Sequence, residues 1–206
     1  MTKIKICGLT RMQDIEYVNE ALPDFVGFVF ANSRRQVSID TALQLKNSLD
    51  CRIKAVGVFV NENISVIRQL CSSSIIDYVQ LHGDEDEEYL RTLSQQISNP
   101  IIKAIRVKDL SSIITAQQLS CEFLLLDTFS DKEYGGTGKT FDWTVTGGVV
   151  KPFFLAGGIN SSNAKAAIDI SRPYCLDVSS GVETNGVKDR SKIINIVSLV
   201  QNGFKE

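Results

Sequence analysis

The chain has 206 residues, 43% of them hydrophobic, enough to bury a substantial core without a disulfide or a metal. Its 22 basic and 24 acidic residues leave a net charge of −2 with no basic block, which argues against nucleic acid or an anionic membrane surface as a partner. No apolar run is long enough to span a membrane, and the N-terminus opens directly into a strand-like run, so a soluble, cytoplasmic protein is expected.

Five cysteines, Cys7, Cys51, Cys71, Cys121 and Cys175, form no Cys-x-x-Cys pair, and His82 is the lone imidazole. No metal site is predicted from that set. Cys51, Cys71, Cys121 and Cys175 read as reduced and mostly buried thiols.

Short apolar runs alternate with helical spacings along the chain. Residues 4–7 read as a first strand ending at Cys7, and 12–21 as a helix with apolar residues at Ile15, Val18 and Leu22. A second strand is expected over 25–30 and its helix over 39–49, started by Ser38 as N-cap. Strand three covers 53–60, with a helix over 64–71. A short fourth strand, 78–81, precedes a helix over 84–96 whose early carboxylates suit the positive end of the helix dipole. Strand five, 101–107, leads into a helix over 110–119. Strand six, 123–127, ends at Asp127, and there the pattern changes. Residues 128–142 form a long, polar, glycine-bearing connection, TFSDKEYGGTGKTFD, of a length usually functional or disordered. The following stretch, with Gly147 and Gly148, supports little more than a turn, anchored by Phe141 and Trp143. Strand seven at 153–156, a helix over 161–170, strand eight at 175–178 and a closing helix over 189–201 complete the series.

Unbroken apolar runs of this length read as strands covered on both faces, as in a parallel sheet. Units of about 25 residues, with reactive groups collecting where strands finish, predict a single α/β domain over residues 1–206. The architecture is a (β/α)8 TIM barrel with short loops and a degenerate helix after strand six, and function is sought on its C-terminal rim.

Strands seven and eight end in small residues, Gly157-Gly158 and Ser179-Ser180-Gly181. Glycines let backbone N–H groups approach a ligand, successive N–H groups hold an anion, and loops after strands seven and eight of such barrels frequently bind phosphate. A short helix after Gly181 would add its dipole. The segment YGGTGKT lacks the P-loop spacing, and a nucleotide triphosphatase is rejected.

A carboxyl desolvated at a barrel mouth is held toward its protonated form, which suits Asp127 to proton donation. Lys5 and Cys7 share a strand face by the period of two, and positive charge beside a rim cysteine would favour its thiolate as base or nucleophile. Against this stands the plain reading of Cys7 as a small hydrophobe filling the barrel. Arg34 and Arg35 offer guanidinium forks for a carboxylate, or are two solvated loop arginines.

Taken together, KICGLT, GFVFANSRR, VGVFVNE, VQLHGDE, LLLDT, YGGTGKTFDW, LAGGI and DVSSGVE closely resemble the phosphoribosylanthranilate isomerases of tryptophan biosynthesis. The motifs run in order from strand one to strand eight. The resemblance implies a cofactor-independent barrel acting on a small phosphosugar by an Amadori rearrangement. It implies Cys7 as general base, Asp127 as general acid, Arg35 facing the anthranilate carboxylate, and Gly157, Gly158, Ser180 and Gly181 at the phosphate. His82 is expected to be a hydrogen-bonded rim residue of structural role. Rival readings are another phosphosugar isomerase or epimerase on the same barrel, or a non-enzymatic phospholigand-binding barrel. A single histidine argues against a metal-dependent epimerase. No heptad or assignable surface patch chooses between a monomer and a homodimer.

Overall fold

The computed structural model describes residues 1–128 and 142–203. Strands β1 (Lys3–Cys7), β2 (Phe25–Val29), β3 (Lys54–Phe59), β4 (Tyr78–Leu81), β5 (Ile101–Val107), β6 (Phe123–Thr128), β7 (Phe153–Leu155) and β8 (Cys175–Val178) pair in parallel in chain order, and β8 returns to β1 to close the barrel. Helices α1 (Met12–Ala21), α2 (Ile39–Ser48), α3 (Ile64–Ser72), α4 (Glu87–Ser94), α5 (Leu110–Ala116), α6 (Ala164–Ser171) and α7 (Arg190–Gln201) lie between and after the strands. Among the described residues between β6 and β7 stands a 3-10 turn, Trp143–Gly148, as the two glycines predict. Trp143 is half-buried against the core, and Phe141 lies outside the described residues. No helix of the described residues is long and apolar enough to cross a membrane.

Several boundaries move for local chemical reasons. Ser38 caps α2 by accepting the Thr41 N–H, as expected. Helix α4 begins three residues later than its carboxylates predict, because Asp86 caps it and Glu85 is used elsewhere. The buried Glu85 carboxylate takes the N–H groups of Asn61 and Gly83 and the Lys103 ammonium, at 2.7, 3.0 and 2.7 Å, tying the loops after β3 and β4 together. After β8, the expected short helix is replaced by one 3-10 turn, Ser180–Val182, and a two-stranded hairpin of β9 (Glu183–Thr184) and β10 (Val187–Lys188). Cys7 and Cys175 are buried, Cys71 and Cys121 are partly so, and Cys51 is exposed, which corrects the burial expected of Cys51.

The period of two divides each strand between two cores. Ile4, Ile6, Val26, Phe28, Leu124, Leu126, Leu176 and Val178 face the helices in one large apolar cluster. The alternate residues face inward and form layers. Phe25, Tyr78, Phe123 and Phe154 fill the N-terminal end, with Val56, Ile102 and Leu125 in the same inner cluster. Above them the lining turns polar: Lys5, Gln80 and Asp177 are buried inside, with Cys7 at the end of β1 and Asp127 next to the end of β6. A sheet closed in register therefore delivers side chains from distant parts of the chain to one mouth.

Candidate active site at the C-terminal mouth

A cavity of about 390 Å³ opens at that mouth, within the size range of small-molecule sites. Cys7, Arg35, Asp127, Gly157, Gly158 and Ser180 all line it. Gly181 stands back from the lining: a Cβ there would lie 2.0 Å from the Ile159 carbonyl oxygen, so Gly181 packs one loop on the next.

Cys7 is buried at the tip of β1, on the cavity wall. Burial pushes its thiol up; the ammonium groups of Lys5 and Lys188 pull the other way, and Asp177 adds to the rise. Positive charge does surround this sulfur, but desolvation outweighs it, so the resting group is a thiol and not the thiolate expected from Lys5 alone. Lys5 donates to Gln80 Oε1 at 2.8 Å and to Asp177 Oδ2 at 3.0 Å from the barrel's centre.

Asp127 is the penultimate residue of β6, and its Oδ1 accepts the Thr128 N–H at 2.7 Å. His82 Nε2 lies 3.3 Å from its Oδ2. Gly157 closes the other side with φ at +86°, and a Cβ on it would stand 2.2 Å from Thr128 Oγ1 and 3.0 Å from Asp127 Oδ1. The glycine is therefore required twice, for its left-handed backbone and for the space beside the acid.

Arg35 reaches the cavity by laying its stem across Gly8, where φ is +82° and a Cβ would come within 2.4 Å of Arg35 Cδ. Its Nε and Nη2 fork onto the Glu183 carboxylate at 2.7 and 3.0 Å. Arg34, exposed and outside the cavity lining, reaches the same carboxylate from its far side at 2.9 Å. Lys188, buried, completes the group at 2.9 Å and also donates to the Ser179 carbonyl. Burial works against the Glu183 charge, yet Arg35 and Lys188 hold its carboxyl below the usual range. Burial lowers Lys188 from the ordinary lysine range despite Glu183.

The family model for N-(5'-phosphoribosyl)anthranilate (PRA) isomerase matches residues 4–199. The chain belongs to the PRA isomerase family. An isomerase of that name from Endomicrobium trichonymphae is 50% identical over 202 residues, covering 98% of this chain and 100% of its own. The crystal structure of phosphoribosyl anthranilate isomerase from Thermotoga maritima superposes with a TM-score of 0.87 at 35% identity, over 98% of this chain and 100% of that one. A further solved PRA isomerase, at TM-score 0.84 and 33% identity with coverage of 98% and 100%, is in complex with reduced 1-(o-carboxyphenylamino)-1-deoxyribulose 5-phosphate.

Around the mouth of this PRA isomerase fold, the buried polar side chains of Gln80, Asp177, Glu183 and Lys188 escaped the sequence reading. Asp177 was the most legible, a charge interrupting the apolar run of β8 in step with Ser179. Glu183 and Lys188 carried no signal, because a two-residue hairpin has no period to betray its buried face.

Proposed function

We propose that this chain converts N-(5'-phosphoribosyl)anthranilate to 1-(2-carboxyphenylamino)-1-deoxyribulose 5-phosphate, the third step of tryptophan synthesis from chorismate. The observation that carries the reading is one cavity shared by a thiol, a carboxyl, a guanidinium and a paired-glycine loop. Asp127, protonated, gives its proton to the furanose ring oxygen as the C1–O bond breaks and the nitrogen lone pair forms the Schiff base. Cys7, as thiolate, then takes the proton from sugar C2, and the resulting enolamine ketonises. Each proton transfer contributes about 10²–10⁴-fold.

Binding energy comes from both ends of the substrate. The Asn160 and Asn163 amides donate to the Gly158 carbonyl at 3.2 and 3.0 Å, which turns the trans-related Ile159 N–H the opposite way, toward the phosphate. Glu183 occupies the Nε edge of Arg35 and so presents the Nη1–Nη2 edge to the anthranilate carboxylate. Holding both ends fixes C1 and C2 between acid and base, and orientation then contributes to the rate. Lys5 and Lys188 favour the Cys7 thiolate once it forms.

The test is turnover of phosphoribosylanthranilate, followed by anthranilate fluorescence and run beside the aminoaldose of histidine synthesis. Consumption of the anthranilate substrate is expected. Binding without consumption would assign a phospholigand-binding barrel instead.

A further inference from the structure

Two side-chain atoms of the cavity lining have no hydrogen-bond partner among the described residues, Asp177 Oδ1 and His82 Nε2, and the second lies buried beside Asp127 at 3.3 Å without the alignment of a hydrogen bond. An unsatisfied buried donor or acceptor is costly, and a ligand atom can recover that cost. Whether Nε2 donates or accepts decides what the chain's single histidine does there.

The answer is set from the opposite side of the ring. Lys5 is fully buried, and although burial works against its charge, Asp177 and Cys7 together outweigh that and keep the ammonium protonated. An ammonium has three donors and no lone pair. The Gln80 carbonyl oxygen must therefore face it, at 2.8 Å, because the reversed amide would press NH2 against NH3⁺. Gln80 Nε2 is left facing His82 Nδ1 at 2.9 Å, and an amide nitrogen only donates. A hydrogen on Nδ1 would set two donors against each other, so Nδ1 accepts and the ring hydrogen sits on Nε2. The ring is also held in place: the His82 N–H bonds the Phe59 carbonyl at 2.8 Å, and Glu85 clamps the next residue, Gly83.

We propose that Lys5 and Gln80 lock His82 as its Nε2–H tautomer, making it a fixed hydrogen-bond donor to the sugar oxygen that Asp127 protonates. The imidazole keeps its hydrogen throughout and takes no proton from the sugar. This role rests on the activity proposed above, whereas the tautomer rests on the protein alone. A donor directed at the oxygen that receives the breaking bond's electron pair is worth most in the transition state.

With one histidine, a ¹⁵N spectrum of the histidine-labelled, ligand-free protein reads this ring without overlap. A protonated Nε2 and an unprotonated Nδ1 are expected; hydrogen on Nδ1 overturns the lock. Gln80→Glu still accepts from Lys5 and has no hydrogen for Nδ1, so the ring hydrogen is expected to move to Nδ1; an unchanged spectrum also overturns it. In turnover, His82→Leu is expected to lower kcat about 10²-fold, and His82→Gln, which restores an N–H at similar reach, to recover at least about tenfold of that. Wild-type kcat in His82→Leu, or a loss carried wholly by KM, overturns the donor role. If wild-type protein shows no turnover at all, the proposed activity fails while the spectrum still decides the tautomer.

Discussion

The two ends of this barrel are built from the same alternating strand positions and by opposite rules. At the N-terminal end, Phe25, Tyr78, Phe123, Phe154 and Tyr174 pack edge-on and tilted with centroids 4.9–6.5 Å apart, and the Lys3 ammonium lies over the rings of Phe25 and Tyr174. At the C-terminal mouth the corresponding positions hold charges, two left-handed glycines beside reactive groups, and the unpartnered atoms His82 Nε2 and Asp177 Oδ1. One end is filled with apolar surface and stabilises the fold; the other keeps polar atoms waiting for a ligand. Damage to the two ends should therefore separate cleanly into stability and turnover.

The sharpest break at the mouth is Cys7→Ala or Asp127→Asn. Each is expected to cut kcat by about 10²–10⁴-fold, while a reduced product analogue still binds and the unfolding midpoint barely moves. Near-wild-type turnover from either variant would refute its assignment. The raised Cys7 thiol gives this a pH signature. If the base is the Cys7 thiolate, as proposed, its raised pKa makes the reactive fraction appear at higher pH, so kcat/KM should climb with pH along a limb lying above the ordinary thiol range. Cys7→Asp should move that limb far to the acid side.

The matching break at the floor is Phe154→Ala, which opens a cavity under the ring cluster and should cost about 3–5 kcal/mol in denaturant unfolding. Its folded fraction should keep wild-type kcat, and a large loss of kcat there would dissolve the contrast between the ends. Gly157→Ala tests the mouth's backbone. A methyl group 2.2 Å from Thr128 Oγ1, on a residue with φ at +86°, forces the loop or Asp127 to shift. Strain of about 1–3 kcal/mol and a misplaced acid should lower kcat/KM about tenfold to a hundredfold.

How much of this was legible in the sequence follows from the same alternation. The barrel and the positions of Cys7 and Asp127 could be read because each ends an apolar run, and period two placed Lys5 beneath Cys7. The 3-10 turn Trp143–Gly148 was announced by Gly147 and Gly148. What could not be read was the sign of the balance at Cys7: charge is visible in a sequence, but the desolvation that outweighs Lys5 and Lys188 depends on closure of the barrel. Helix α4 was drawn too long for a related reason, since a carboxylate such as Glu85 looks like a helix start until the loops it clamps are in place. His82 was expected to be a hydrogen-bonded rim residue, and Gln80, two residues before it on the same face, does bond its Nδ1; the approach of Asp127 from β6 could be read only once the sheet was closed.

The smallest expected effect lies at the edge of the mouth, in Glu183→Gln. Arg34, Arg35 and Lys188 all donate to this one carboxylate, so the cluster carries excess positive charge even before substrate arrives. Glu183 therefore aims Arg35 without cancelling it. Glutamine keeps one acceptor oxygen but turns an NH2 toward a cation, so the Arg35 fork loses one of its two anchors and swings. Losing one charge-assisted bond should raise KM for the anthranilate substrate about tenfold, near 1.4 kcal/mol, with kcat held within about twofold. The split matters, because the group proposed for Arg35 is remote from the reacting carbons, and its aim should enter ground state and transition state alike. A fall in kcat as large as that of Gly157→Ala would place Glu183 among the groups that position the acid and base, and would erase the boundary between holding the substrate and transforming it.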